Sequence, residues 1–177
     1  MKKRRRFLGA GVLAVYALMF VVSDAAKATS ETATVTAYVT AKNISVALTT
    51  NGSVDFQTIN LSSHQDTTSG GVNDTETAQN DGNVDEDFNI KATTTTAWTL
   101  VATPGANQYS LQFCITDCDG TPTWNNVGID PSYATLASDV VSTGTQAFDL
   151  RVGTPSSSAS YTQQTITVTI QAVAATP

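Results

Sequence analysis

Side chains able to do chemistry are few in this chain of 177 residues, and most of them sit in turns. There are two cysteines, Cys114 and Cys118, flanking Ile115-Thr116-Asp117 at the end of an expected strand. In a chain that leaves the cytoplasm, a lone pair this close is most simply a disulfide. So short a loop removes little entropy from the unfolded chain, so the bond would pin a turn rather than hold the fold. A metal pair is the other reading, but no third or fourth ligand is evident. Asp81-Gly82-Asn83-Val84-Asp85-Glu86-Asp87 contains D-x-N-x-D, and calcium loops place oxygens at such alternate positions. That makes Asp81, Asn83 and Asp85 candidate calcium ligands. Position six is Glu86 and position twelve is Ala92, so this is not an EF-hand. Asp117-Cys118-Asp119-Gly120 is a second acidic turn, and Asp117 and Asp119 join the candidates if both turns lie at one end of the molecule. Solvated Asx turns are the simpler reading of both.

Catalytic material is scarce. The single histidine, His64, lies in a polar stretch, and a Ser-His-Asp triad would have to use it. The carboxylates cluster in turns rather than near core aromatics, which does not suggest a raised-pKa acid. Trp98 and Trp124 could serve as sugar platforms, but Trp98 falls in an alternating segment and reads as core. The expectation is a protein that is not an enzyme and has no cofactor, calcium being the one candidate. Asn43, Asn51, Asn60 and Asn73 each begin an N-x-[ST] sequon and are candidate glycosylation sites, although Asn, Ser and Thr are all abundant here.

The elements that must position these residues are strands. Thr, Ser, Ala and Val dominate after residue 28, and β-branched residues suit a pleated sheet. Alternation marks strands over 33–40, 44–48, 54–59, 88–92, 98–102, 109–113, 147–152 and 165–173. Asn51-Gly52, Asn80-Asp81-Gly82-Asn83 and Pro104-Gly105 read as turns, while 62–71 and 114–132 read as loops. Eight or nine strands with turns between them predict an all-β chain: one antiparallel β-sandwich, immunoglobulin-like with Greek-key connections. A closed barrel is the alternative.

The N-terminus fixes the compartment. Lys2-Lys3-Arg4-Arg5-Arg6 precedes an apolar run from Phe7 to Val22, then Ala26-Lys27-Ala28. A basic start, an apolar core and a small-x-small site make a secretory signal peptide over 1–28, leaving 29–177 as one sandwich domain. The apolar run falls short of the roughly 20 residues that span a bilayer, so no membrane span is expected in the mature form. Arg4-Arg5-Arg6-Phe7-Leu8 also fits a twin-arginine core, so Sec and twin-arginine export both stay open. A pilin-type leader cut near Gly9 or Gly11 is a further reading, but Val12–Val22 is short for an assembly helix and has no early acidic residue. After residue 28, Lys42, Lys91 and Arg151 stand against fourteen Asp and Glu, a net charge of −11. That surface repels nucleic acid and anionic lipid and keeps an exported protein soluble.

Two segments resemble known families. Gly52-Ser53-Val54-Asp55-Phe56, and Asn80-x-Gly82-Asn83-Val84 leading into Asp87-Phe88-Asn89-Ile90, resemble secreted prokaryotic immunoglobulin-like domains, among them the camelysin-like biofilm-fibre subunits. That resemblance implies export, a β-sandwich, and fibres built by passing a terminal strand to the neighbouring subunit. Trp98-Thr99-Leu100-Val101 is similar to the first motif of the WxL cell-wall-binding domains. Their second motif has only a loose echo in Tyr161 to Ile170, where Val168 stands at the expected Trp. The leading expectation is a secreted, cell-surface or extracellular structural subunit, filament-forming and fimbria- or pilus-like, that self-associates into a homopolymer. Its assembly strand would be the mature N-terminus, with Val35, Ala37 and Val39 inserted into the next copy by β-augmentation. An intramolecular first strand is the competing reading of 32–40. The alternative function is a monomeric wall- or glycan-binding module.

Overall fold

The computed structural model describes residues 32–176, so the expected signal peptide and its cleavage site lie outside the described residues. Among the described residues there are strands and no helices. Eleven strands run in chain order: β1 (Val46–Leu48), β2 (His64–Asp66), β3 (Glu76–Asn80), β4 (Glu86–Ala92), β5 (Thr99–Leu100), β6 (Gln108–Cys114), β7 (Asn125–Asn126), β8 (Gly128–Ile129), β9 (Ala134–Val140), β10 (Thr145–Gly153) and β11 (Val168–Ala174). They form two sheets, as expected of a sandwich. The larger has seven strands in the order β1-β3-β10-β6-β5, with β2 also on β10 and β7 on β6. The smaller has four, β11-β4-β8 with β9 also on β4. Pairing is antiparallel except for two short parallel contacts, β4 with β8 and β5 with β6.

Alternation explains the long strands. Phe88, Ile90 and Ala92 of β4 are fully buried, and Asn89 and Lys91 between them are not. Leu111 and Phe113 of β6 and Phe148, Leu150 and Val152 of β10 face them from the other sheet, with Leu136 of β9 completing the core. Tyr109 is buried with its hydroxyl donating to the Thr93 carbonyl, and burial pushes its phenol pKa well up.

The departures from expectation have physical causes. Residues 33–40 alternate, but no ladder forms there among the described residues. All but Thr40 precede the unit that holds the sandwich, which begins at that residue. Over 54–59 the side chains of Val54, Phe56 and Ile59 do pack on the core, but Gln57 at φ 62° breaks the extended run and no strand partner adds a ladder. Five strands fall where none was expected. β2, β7 and β8 are short ladders within the two stretches read as loops, 62–71 and 114–132, and β9 carries a left-handed Asp139 and an irregular register with β4. β3 was hidden because its inward positions are Glu76, Ala78 and Asn80, two of them polar.

Candidate assembly groove

The core is open on one side. Leu111, Leu150 and Val152 of the larger sheet and Val168 and Ile170 of the smaller one line a groove of about 1130 Å³. Its rims are 53–61 and 160–166, two irregular segments without ladders. The flanking strands have free edges as well. Among the described residues β1 pairs only with β3, and β11 pairs only with β4. An apolar cleft beside unpaired main-chain groups is the arrangement that accepts an added strand.

One polar atom stands out on the groove wall. Glu76 is 4% exposed, and its Oε2 accepts a hydrogen bond from Thr50 Oγ1, but its Oε1 has no partner. A buried carboxylate oxygen left without a donor costs folding free energy.

Residues 33–40 form a candidate occupant for such a groove. Val35 is 89% exposed, Val39 96%, and Ala37 is exposed as well. Three apolar side chains at period two have no cover among the described residues. Just beyond them the chain is fastened. Asn83 Nδ2 donates to the Ala41 carbonyl at 2.8 Å, and Asn43 N–H donates to Asn83 Oδ1 at 2.8 Å. Asp81 N–H donates to the Ser45 carbonyl, and Ser45 N–H donates to Glu86 Oε1 at 2.8 Å.

The Asn80–Asn83 turn itself is braced from within. Asn80, fully buried, accepts from Gly82 N–H through its Oδ1 and donates through Nδ2 to the carbonyls of Val84 and Val140. Gly82 is required for close approach: a Cβ there would lie 2.3 Å from Glu86 Oε1 and 2.6 Å from the Asn43 carbonyl. The motif therefore holds residues 41–45 against the sandwich, a role its sequence did not disclose.

The other expected sites are placed as follows. Cys114 and Cys118 are disulfide-bonded with Cα atoms 5.8 Å apart. Their loop reaches the 66–73 loop: Ser69 N–H donates to Asp119 Oδ1 at 2.7 Å, which holds the Asp119 carboxyl below its usual range. Asp117 Oδ2 accepts from Thr121 N–H within its own turn. Of the other calcium candidates, Asn83 spends its side-chain amide on Ala41 and Asn43. Among the described residues no three His, Cys, Asp or Glu side chains gather to hold a metal ion. The sequon residues Asn43, Asn51, Asn60 and Asn73 are all exposed. Trp98 packs against the core, and its Nε1 donates to Ser158 Oγ at 2.9 Å, while Trp124 lies 4.6 Å from the Arg151 guanidinium. His64 is exposed at the start of β2 and, among the described residues, hydrogen-bonds to no serine or aspartate side chain. No helix of the described residues is long and apolar enough to cross a membrane.

Compared with known families, curated proteins and solved structures, the chain matches no family model, no curated protein and no solved structure.

Proposed function

We propose that this chain is an exported structural subunit of a cell-surface layer or extracellular fibre, without enzymatic activity, that assembles by strand addition. Residues 33–40 of one subunit enter the groove of the next. Val35, Ala37 and Val39 cover its apolar floor, and main-chain groups extend the free edge of β11 or β1. The contact is head-to-tail and does not close on itself, so it propagates as a filament. The observation that carries this reading is the exposed, alternating 33–40 segment, which has no ladder among the described residues and ends at the Asn83 clamp. The unpartnered Glu76 oxygen on the groove wall adds support, because an incoming N–H or hydroxyl would satisfy it. The wall- or glycan-binding alternative through Trp98 draws no support from a tryptophan packed on the core.

The test is electron microscopy and light scattering on the protein beginning at Thr29, beside a version beginning at Ala41. Filaments from the first and folded monomers from the second are expected. Monodisperse monomers from the longer form would remove the reading.

A further inference from the structure

A second cavity lies along β2, β10 and β6, separate from the core groove. It is a wide-mouthed depression of about 530 Å³. The strand registers set out its floor. Arg151 stands opposite Gln112 and Asp66, and Gly153 opposite Ser110 and His64. Gly153 makes the depression: a Cβ there would sit 2.4 Å from Ser110 Oγ. Pro104 supplies an apolar wall, and the remaining lining is mostly hydroxyl-bearing.

Arg151 is held in place by neutral groups. Its Nε and Nη2 both donate to Gln112 Oε1, at 3.1 and 2.6 Å, and Gln112 Nε2 in turn donates to Asn126 Oδ1 at 3.1 Å. The Trp124 ring covers the guanidinium. Among the described residues Arg151 makes no ion pair; the ion pair present is Lys91 with Asp130. Asp66 is the carboxylate whose charge reaches it, but Asp66 Oδ1 accepts from Thr68 Oγ1 at 2.6 Å. An oriented guanidinium with free N–H donors and no carboxylate partner suits a planar oxyanion. The hydroxyls, the Gln112 amide and the room beyond the cation suit more than a bare ion.

We infer that this cavity binds an acidic sugar unit, with Arg151 taking the carboxylate of a hexuronic acid and Ser110, Gln112 and His64 taking ring hydroxyls. Filament assembly is not required for this site. The test is isothermal titration or NMR shift mapping on the full chain with trigalacturonate, galactose and inorganic sulfate as separate probes. Trigalacturonate is expected to bind and to shift Arg151, Ser110 and His64. R151Q should weaken it by about tenfold or more, since a hydrogen bond to a charged group is lost. D66N should tighten it, because a repelling charge goes. G153A leaves the Arg151–Gln112–Trp124 cluster intact but fills the floor, and should also abolish binding, which separates a built cavity from a loose surface cation. Equal binding of galactose, or sulfate binding as tight as the uronate, would overturn the assignment. So would a folded R151Q that binds trigalacturonate like the parent.

Discussion

Asn83 controls where the chain becomes part of the sandwich. Its amide makes one bond to each side of Lys42, to Ala41 and to Asn43. Both bonds are solvent-exposed, so N83A is expected to lower stability by only about 1 kcal/mol, read from urea unfolding. G82A should cost more, because its Cβ meets the Asn43 backbone carbonyl as well as the Glu86 carboxylate, and the backbone cannot swing aside. A G82A protein as stable as the parent would mean that the 41–45 segment is not fixed by this turn. Both asparagines and the glycine were legible as a turn from sequence. That the turn grips a segment some 40 positions earlier was not, because nothing in local spacing encodes a partner so distant. The buried, half-satisfied Glu76 and Glu86 were equally hidden: a charged residue at an inward position reads as solvent-facing until the sheet is assembled.

Strands with a continuous apolar face were readable, and those with a broken face were not. β4, β6, β10 and β11 all fall within a few residues of the alternating runs. β3 was missed because Glu76 and Asn80 occupy buried positions, and 54–59 was over-read because alternation shows which side chains go inward but not whether a neighbouring strand exists. The same logic applies to 33–40, whose alternation has no partner within the described chain. If that segment is donated, V35D combined with V39D should abolish filaments, since each puts a charge into an apolar groove. The melting temperature of the isolated subunit should not move, because both side chains are exposed there. A clear loss of monomer stability would place the segment in its own fold instead.

At the scale of the molecule, the two sheets share one core but leave it uncovered along the side lined by Val168 and Ile170. Stability therefore rests on the closed part around Phe88, Ile90 and Leu136. F88A is expected to cost about 3–5 kcal/mol by denaturant titration, as a large side chain lost from a fully buried site does. A cost under about 1 kcal/mol would show that this core is loosely packed. By itself the sequence determined the all-β class, the cysteine pairing and the main core strands. Each of these follows from side-chain type and short-range periodicity, which the pleat and a four-residue separation translate directly into geometry. Only the tertiary structure decided which strands pair, that 54–59 and 160–166 rim an open groove, and that His64 of β2 and Ser110 and Gln112 of β6 flank Arg151 and Gly153 in one cavity. Those outcomes depend on contacts between residues far apart in the chain, and a strand's own pattern carries no record of the neighbour it will meet.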